Sequence, residues 1–479
     1  MERMRRRQAV RIAGGLLWLV AVVAHGQTPK FRHVVVVVQE NRTPDNLFQG
    51  LCVSPFGTSR SCSTAPTKSQ YDIQTTNWLD KRIPSGIVQP GTVALANNYD
   101  LSHSHSAFTS MCDLNGLGAC QMDGAAGIGC GGTCPATPQF RYVDNSTGIL
   151  NPYLELATQY GWANYMFQTN QGPSFPAHQF LFGGTSAPSA ADDKAGIFAA
   201  ENLGTAPIAG CIALAGTTVE LITPTGETRQ IYPCFEHETM ADLLDQRGIS
   251  WKYYAPSAGS IWTAPNAIRH ICEPSMPTGG ECAGTEWSDN VVLKPAQVLT
   301  DISACKLADV TWVIPSGQNS DHAEGNTGGG PAWVASIVNS IGTNPRCSDD
   351  ELYWEDTVIL ITWDDWGGWY DHEPPTVMAP PQGDYQYGFR VPLIVVSAYT
   401  PARYVSNDRY DFGSILRFLE QNFGISEGSL GFADARAKFD LTEFFRENRA
   451  ARTFQTIASP KDAEDFVNDK SPLEPPDTD

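Results

Sequence analysis

Five consecutive valines, residues 34–38, are the feature that most constrains the fold of this 479-residue chain. A strand with one face in water alternates apolar and polar side chains, and this run does not alternate. The run therefore predicts a strand covered on both faces, as in the parallel sheets of α/β proteins. The chain turns at once to Gln39, Glu40, Asn41 and Arg42, so polar groups stand directly at the end of this buried strand.

Four further segments repeat the pattern of an apolar run that ends in polar residues, and a fifth is weaker. The four are residues 162–167, 310–316, 357–363 and 391–398, and the weaker one is 249–255. Helical spacing of apolar residues, ending in glycine, occurs at 237–248, 332–342 and 411–424. Alternating strands and helices predict an α/β fold, a three-layer α/β/α sandwich around a mainly parallel sheet. In such sheets ligands bind beyond the carboxyl ends of the strands.

Residues 1–26 have the pattern of a secretory signal peptide that is removed from the mature protein. Five arginines precede a short apolar run, and small residues stand near the expected cleavage point. The alternative is an uncleaved membrane anchor, but the run is too short to span a bilayer comfortably. We therefore expect a secreted or periplasmic protein without stable membrane insertion.

The chain is strongly acidic, with 52 Asp and Glu against 32 Lys and Arg and a formal net charge of −20. Removal of residues 1–26 leaves 51 acidic and 27 basic residues, a net charge of −24. Such a charge disfavours binding to nucleic acid or to anionic membranes. An anionic substrate needs local positive charge, such as a metal ion, to overcome this field. The sequence leaves the oligomeric state open.

Twelve cysteines, an even number, occur in close groups along the chain. In an exported protein they predict disulfides that tie long loops. The alternative is a zinc site in the group from Cys112 to Cys134, whose spacings match zinc knuckles poorly. We interpret residues 27–458 as a single domain with long disulfide-tied insertions, and residues 459–479 as an acidic, disordered tail.

Two pairs of oxygen-bearing residues directly follow two of the apolar runs. Glu40 and Asn41 come after the valine run, and Asp364 and Asp365 come after residues 357–363. Carboxylate and amide oxygens suit one hard divalent cation, with Mg, Ca, Mn or Fe as options. Adjacent side chains converge only where the backbone turns, and the Trp-Gly-Gly after the second pair supplies such a turn. The alternative is that all four are ordinary loop residues.

Ser174 lies in the segment NQGPSFPAHQF, where a proline two residues later suits the first turn of a helix. The N–H groups at a helix N-terminus attract anions. A serine in this place commonly serves as an N-cap, but beside a metal ion its hydroxyl becomes a nucleophile without a histidine base. His178, four residues further on, faces the same side of this helix and is a further candidate.

Three histidines lie in polar segments near presumed strand ends: His103, His322 and His372. A lone histidine is more often structural than functional. Several histidines in one cleft bind phosphoryl oxygens or protonate a leaving alkoxide, which is the role we consider for these three.

Eight motifs occur in one order along the chain: ENRTPDNLFQG, DLSHS, GPSFPAHQFLFGGT, LLDQRGISWKYY, NSDHAEG, WDDWGGWYDHEPP, GFRVPLIVVS and YDFGSILRFLE. In this order they resemble the bacterial phosphoesterase family that contains non-haemolytic-type phospholipases C and related acid phosphatases. The resemblance runs from about residue 31 to about residue 444, nearly the whole mature chain. That family is similar to a branch of the alkaline-phosphatase superfamily, which implies the same three-layer core. We expect no extra C-terminal β-domain of the kind that some family phospholipases carry.

The resemblance implies a role for each candidate residue. It implies that one divalent metal ion is bound by Glu40, Asn41, Asp364, Asp365 and Ser174. It implies that Ser174 is the nucleophile and forms a phosphoseryl intermediate. The histidines that it assigns to the phosphate site are His103, His322 and His372.

The function that the resemblance implies is hydrolysis of phosphodiesters such as phospholipid headgroups. The alternative within the family is acid phosphatase activity on phosphate monoesters. A further alternative, sulfatase activity, needs Cys or Ser followed by x-Pro-x-Arg. His178 stands where that arginine would be, so the sequence disfavours a sulfatase. An alternative of another class is a secreted binding protein that keeps the fold but has lost catalysis. Near the site, Trp366, Trp369 and Tyr370 would either cage a quaternary ammonium group or pack in the core, and packing is the expected role.

Overall fold

The computed structural model describes residues 30–204, 207–344, 347, 352–377, 386–445 and 450–473. The predicted signal peptide, residues 1–26, lies outside these ranges. Within them, eight strands form the main sheet. In chain order these are β1 His33–Gln39, β2 Gly161–Met166, β3 Trp251–Tyr254, β4 Val291–Val292, β5 Val310–Val313, β6 Thr357–Trp363, β7 Leu393–Ser397 and β8 Tyr404–Tyr410.

The main sheet is mainly parallel, which confirms the predicted fold class. Its strand order is β4-β3-β5-β1-β6-β7-β2-β8. Neighbouring strands run parallel except at β7, which is antiparallel to both β6 and β2. The carboxyl ends of β1, β2, β5 and β6 therefore lie at one edge of the sheet, where the sequence predicts a site.

Each of the six apolar runs in the sequence forms a strand of this sheet. Strands β1 and β6 are buried at all seven of their positions, as the valine run predicts. Strand β8 is a difference from the prediction, because its sequence YVSNDRY carries no apolar run. It lies at the end of the sheet, where partial exposure tolerates polar side chains.

Two groups of helices cover the sheet. Their main helices are α1 Asn151–Gln159, α2 Ser174–Gly183, α3 Met240–Asp245, α4 Gln297–Ser303, α5 Gly330–Thr343 and α6 Phe412–Asn422. Helix α5 contacts α1 and α4, whereas α2 contacts α3 and α6. The other α-helices are Pro44–Leu47, His105–Cys112, Ala190–Lys194, Arg269–Cys272, Thr285–Asn290, Tyr353–Asp356, Ala433–Arg436 and Ala463–Val467.

Two tryptophans show that the two helix groups lie on opposite faces of the sheet. Trp312 of β5 is level with Leu360 of β6, so Trp363, three residues later, points to the other face. The Trp312 indole donates to the carbonyl oxygen of Leu181 in α2 at 3.3 Å. The Trp363 ring packs against Tyr153 in α1, with ring centres 5.1 Å apart. The predicted three-layer sandwich is therefore confirmed.

All twelve cysteines form disulfides, as predicted, and the zinc alternative is wrong. The six bonds are Cys52–Cys62, Cys112–Cys120, Cys130–Cys134, Cys211–Cys234, Cys272–Cys282 and Cys305–Cys347. Small sheets also build the insertions, from the strands Trp78–Leu79, Ile87–Val88, Gly91–Val93, Tyr99–Leu101, Cys130–Gly132, Arg141–Val143, Phe198–Ala199, Val219–Ile222 and Thr228–Ile231.

The C-terminal tail differs from the disorder expected over residues 459–479. Within its described part, Ala463–Val467 is a helix, and Asp462 caps it by accepting from the N–H of Asp465. Phe466 is buried and packs against Trp333 of α5, with ring centres 5.3 Å apart. One apolar anchor thus holds an otherwise acidic segment. Among the described residues, no helix has the length and apolar character needed to cross a membrane.

Candidate metal centre

Two neighbouring strands bring four candidate ligands to one edge of the sheet. Gln39 at the end of β1 is in register with Trp363 at the end of β6. The next two residues on each strand, Glu40 with Asn41 and Asp364 with Asp365, therefore leave the sheet at the same level. The N–H of Asn41 donates to Asp364 Oδ1 at 3.0 Å, which ties the two ends together.

The backbone turns sharply after each pair, as the Trp-Gly-Gly sequence predicts. Asn41 has a φ of 62°, in the left-handed region that few non-glycine residues adopt. Gly367 has a φ of 60°, and a Cβ atom there would lie 2.3 Å from the carbonyl oxygen of Asn41. The N–H of Gly367 donates to Asp365 Oδ1 at 2.7 Å. The glycine therefore allows the close approach that turns both side chains of each pair toward one point.

Ser174 is the first residue of α2, and its hydroxyl faces the two strand ends. Its Oγ donates to Asp365 Oδ2 at 3.1 Å and lies 3.4 Å from Asn41 Oδ1. The N-cap of α2 is Pro173, so the capping role considered for the serine is wrong. The N-terminal end of the α2 dipole lies at the same place and favours an anion there, while the N–H of Phe175 donates to Asn202 Oδ1 at 2.8 Å.

His178 lies one helical turn after Ser174 and reaches the same point. Its Nε2 is 3.3 Å from Glu40 Oε1 and 3.7 Å from Asp364 Oδ2. Burial lowers the pKa of His178 to about 4 and outweighs the nearby aspartates, so the imidazole is neutral. A neutral imidazole leaves the negative charge of these carboxylates uncompensated.

The acidic residues at this point are fully buried and repel one another. Burial, and then the charge of Glu40, raise the pKa of Asp364 to about 7. Burial, and then the charge of Asp364, raise the pKa of Asp365 to about 7. Among the described residues, neither aspartate pairs with lysine or arginine. Buried carboxylates in such a group are stable in ionised form only with a cation beside them.

The donor set fits a hard divalent cation. Ligand atoms of Glu40, His178 and Asp364 lie within 4.8 Å of one another. Asp364 Oδ2 is buried and accepts no hydrogen bond from the described residues. Carboxylate and amide oxygens are the ligands that such ions prefer. We name Glu40, Asn41, His178, Asp364, Asp365 and Ser174 the metal centre.

His103 and His322 flank the metal centre. Asn41 Nδ2 donates to His103 Nε2 at 3.2 Å, and His103 Nδ1 donates to the carbonyl oxygen of Leu101 at 2.9 Å. His103 Nε2 also lies 4.0 Å from Asp365 Oδ2. The His322 ring packs edge-on against the His103 ring, with centres 6.1 Å apart. His103 therefore contacts Asn41 directly, and His322 contacts His103.

His372 lies in a separate, buried ion cluster. Its Nδ1 donates to Asp45 Oδ2 at 2.8 Å, and its Nε2 donates to Asp72 Oδ1 at 3.0 Å. Arg390 completes the group with bonds to Asp72 and to both oxygens of Asp371. Both ring nitrogens of His372 are therefore committed to bonds within this cluster. We name these five residues the ion cluster.

The aromatic residues after Asp365 pack in the core. Trp366, Trp369 and Tyr370 are fully buried. The Tyr370 ring stacks on Trp78 with centres 4.8 Å apart, and the Trp366 ring packs edge-on against Phe389 at 4.8 Å. The packing role expected from the sequence is therefore the one that the structure shows.

An open cleft of about 690 Å³ adjoins the segments that carry His103 and Ser174. His105 lies on its wall, and its Nδ1 donates to the carbonyl oxygen of Gln171 at 2.7 Å, which joins the two segments. Asn170 lies on the same wall. Other lining residues are Phe180, Phe198, Ala199, Ala200, Asp193 and Arg436. The cleft has room for the organic part of a small substrate.

Comparison with known proteins identifies the family. The sequence model of the Phosphoesterase family matches residues 31–426. The chain belongs to the Phosphoesterase family. The match covers the segments that carry every member of the metal centre, and it confirms the resemblance drawn from the eight motifs.

Curated relatives of this phosphoesterase-family chain are phospholipases C. Hemolytic phospholipase C of Pseudomonas aeruginosa is 22% identical over 465 residues, which are 88% of this chain and 56% of the relative. Phospholipase C A of Mycobacterium tuberculosis is 24% identical over 214 residues, 40% of each chain. The chain spans about half the length of these relatives. A solved structure of an alkaline phosphatase superfamily protein from Vibrio parahaemolyticus aligns with a TM-score of 0.31 and 12% identity, over 58% of this chain and 61% of the other.

The sequence indicated most of the metal centre but understated one member. The four-residue spacing predicted that His178 lies on the same helix face as Ser174, but the sequence did not assign His178 to the metal centre. The structure puts its ring between Glu40 and Asp364. The available signal was that spacing combined with the carboxylates predicted next to the serine.

Proposed function

We propose that this chain is an exported, metal-dependent phosphoesterase that hydrolyses phosphodiesters such as phospholipid headgroups, with Ser174 as nucleophile. The observation that carries the proposal is the position of the Ser174 hydroxyl, 3.1 Å from Asp365 Oδ2 and 3.4 Å from Asn41 Oδ1. A buried hydroxyl at a helix N-terminus, beside a set of divalent-cation ligands, is the arrangement that phosphoryl transfer to serine requires.

The four strand-end residues, Glu40, Asn41, Asp364 and Asp365, would hold one divalent cation. When bound there, that cation would lower the pKa of the serine hydroxyl and neutralise the phosphoryl oxygens. The chain's own contribution is to place the acceptor of the serine proton. Asp365 accepts the hydrogen bond from Ser174 Oγ and is the group in position to take its proton.

In the first step Ser174 Oγ forms a bond to phosphorus while the bond from phosphorus to the leaving alcohol breaks. The serine proton passes to Asp365, and His322 in its charged form gives a proton to the leaving oxygen. In the second step water attacks the phosphoserine, its proton returns to that histidine, and Asp365 returns the first proton to Oγ. The N-terminus of α2 stabilises the negative charge throughout.

Two observations support a diester with a sizeable organic group as substrate. The relatives that match are named phospholipases C. The cleft beside His105 and Gln171 offers room for the alcohol or headgroup of such an ester.

Six disulfides favour an oxidising compartment, and together with the signal-like residues 1–26 they support export from the cytoplasm.

The test is a substrate panel run with metal analysis on the same sample. The diester p-nitrophenyl phosphorylcholine and the monoester p-nitrophenyl phosphate are compared in wild type and Ser174→Ala. The control is Ser186→Ala, which removes a different buried hydroxyl that donates to the carbonyl oxygen of Ala199.

We expect the diester to be the better substrate for wild type and for Ser186→Ala, and Ser174→Ala to lose about 10⁴-fold or more in kcat. Equal turnover by wild type and Ser174→Ala would reject the nucleophile. A preference for the monoester would assign the chain to the phosphatases instead. Absence of turnover of both esters by metal-loaded wild type would favour a binding protein.

A further inference from the structure

Trp262 lies in an insertion that follows β3 and reaches the flank of the metal centre. Its indole ring packs against the ring of His322, with centres 6.1 Å apart and a tilt of 39°. His322 in turn packs against His103, which contacts Asn41. The rings of His103, His322 and Trp262 thus form a continuous row. The row begins beside Asn41 of the metal centre and ends at Trp262.

Two hydrogen bonds fix the Trp262 segment to β3 of the main sheet and to α2, the helix that carries Ser174 and His178. The carbonyl oxygen of Trp262 accepts from the hydroxyl of Tyr253 in β3 at 2.7 Å. The carbonyl oxygen of Ala264 accepts from Gln179 in α2, the residue after His178, at 3.2 Å. Burial, and then the charges of Glu40 and Asp364, raise the pKa of Tyr253, so this part of the chain lies within the field of the centre.

The Trp262 indole N–H is buried, and no acceptor for it exists among the described residues. The side chain is only 1% exposed, and its Nε1 forms no hydrogen bond there. A buried donor without an acceptor is costly, so proteins seldom keep one without a use for it. An oxygen of a ligand bound beside His322 would supply the missing acceptor.

We infer that the Trp262 indole N–H donates a hydrogen bond to a phosphoryl oxygen of the substrate and is a substrate-binding residue of this enzyme. The inference rests on the proposed function and extends it to a residue that none of the eight motifs contains. Trp262 then acts next to His322, against whose ring it packs.

Other buried indoles show why position matters here. The Nε1 atoms of Trp333, Trp366 and Trp369 also lack acceptors among the described residues. Trp333 lies in α5, on the face of the sheet away from α2, and packs against Phe466. It shares the burial and the unpaired N–H of Trp262 but has no contact with the site, and it is therefore the matched control.

The experiment compares Trp262→Phe with Trp333→Phe. Phenylalanine keeps an aromatic ring in place and removes the N–H, and the bond from Tyr253 is to the backbone and survives. For Trp262→Phe we expect kcat/KM for p-nitrophenyl phosphorylcholine to fall about 10- to 100-fold and the Ki of inorganic phosphate to rise by about 10-fold or more. Metal content should match wild type. Trp333→Phe should stay within about twofold of wild type in both constants.

Wild-type constants for Trp262→Phe, or an equal loss in Trp333→Phe, would overturn the inference. Crystals of the metal-loaded wild-type protein soaked in inorganic phosphate give a second test that needs no variant. We expect Trp262 Nε1 within about 3.2 Å of a phosphate oxygen. Phosphate bound at Ser174 with Nε1 more than about 4 Å from every oxygen would overturn the inference even if the variant fails to fold. Failure of wild type to hydrolyse any ester would instead reject the proposed function, and the phosphate-soaked crystal would still decide the role of Trp262.

Discussion

Two buried groups of carboxylates in this protein have the same number of acids and opposite surroundings. The metal centre holds Glu40, Asp364 and Asp365, and the ion cluster holds Asp45, Asp72 and Asp371. In the ion cluster every acid bonds to a cation of the protein, either Arg390 or His372. Among the described residues, Asp364 and Asp365 of the metal centre pair with no lysine or arginine, and the buried His178 beside Asp364 is neutral. A cluster of acids is thus a candidate ligand site only where the protein supplies no cation of its own.

The two histidines show the difference most clearly. Burial disfavours the charged form of His372, but bonds of 2.8 and 3.0 Å to Asp45 and Asp72 outweigh it and raise its pKa to about 10. His178 is also buried, but its nearest carboxylate oxygen is 3.3 Å away, and its pKa falls to about 4. The charge of Asp45 and its close hydrogen bond therefore keep His372 charged, whereas burial dominates at His178.

The largest effect should come from removing one acid of the metal centre. Asp365→Asn should lower kcat for p-nitrophenyl phosphorylcholine on the order of 10²–10³-fold and reduce bound metal, because it removes one negative charge from the metal centre and the group that takes the Ser174 proton. The matched change in the ion cluster, Asp371→Asn, should keep the metal content of wild type. Metal content and steady-state kinetics are measured on both variants. Equal loss of metal in the two would contradict the claim that only the metal centre binds a cation.

Next in size is the removal of the cation from the ion cluster. Arg390→Met leaves Asp72 and Asp371 buried without their guanidinium partner, so the free energy of unfolding should fall by about 3–5 kcal/mol. Urea unfolding measures this, with Arg390→Lys as a milder variant. The control is Arg229→Met, whose half-exposed pair with Asp192 should be worth about 0–1 kcal/mol. A similar small effect at Arg390 would show that its pairs do not stabilise the fold.

The charge of His372 should appear in the pH dependence of stability. Its folded pKa is raised above the usual value of 6.5 to about 10. Its contribution is therefore complete below pH 6.5 and disappears as the pH rises toward 10. Calorimetry of metal-free protein should show a Tm gap between wild type and His372→Gln that is widest near pH 6 and narrows by pH 9.5.

His178→Gln provides the contrast for the same measurement. The pKa of His178 is lowered to about 4, so this histidine stays neutral in both folded and unfolded protein above about pH 7. The Tm gap between wild type and His178→Gln should be constant from pH 7 to 9.5. Parallel curves for the His372 and His178 variants would contradict the opposite charge states of the two residues.

The smallest effect is the pH dependence of stabilisation by a divalent cation. In metal-free protein the raised pKa of Asp364 and Asp365, about 7 against a usual 3.8, means that stability falls as the pH rises from about 4 to 7. Bound Mn²⁺ removes this penalty, so it should raise Tm more at pH 8 than at pH 5. Thermal scans with and without Mn²⁺ measure the difference, and a larger rise at pH 5 would contradict it.

The sequence predicts those parts of the molecule that strong local patterns determine. Two continuous apolar runs make β1 and β6 buried strands, so Glu40 and Asp364 must leave the sheet where it ends. Gly367, which has no Cβ atom, then permits the close approach of the Asn41 carbonyl oxygen. Two short stretches of sequence, one that ends at Asn41 and one that ends at Gly367, therefore contain most of the information needed to place Glu40 and Asp364.

Other parts depend on contacts between distant segments, and no local pattern reports them. His372 follows Asp365 by only a few residues, yet its bonds to Asp45 and Asp72 place it in the ion cluster. Strand β8 lacks an apolar run because it lies at the sheet's end. The helix in the tail depends on one residue, Phe466, and on its contact with Trp333. In each case the deciding partner lies far away along the chain.

Anomalous scattering from a crystal grown with Mn²⁺ would test the difference between the two carboxylate groups most directly. We predict a strong peak within about 2.0–2.6 Å of oxygen atoms from Glu40, Asn41, Asp364 and Asp365, next to Ser174 Oγ, and no peak within the ion cluster. A peak beside Asp45, Asp371 and His372, with none at the ends of β1 and β6, would contradict both the metal centre and the function proposed for it.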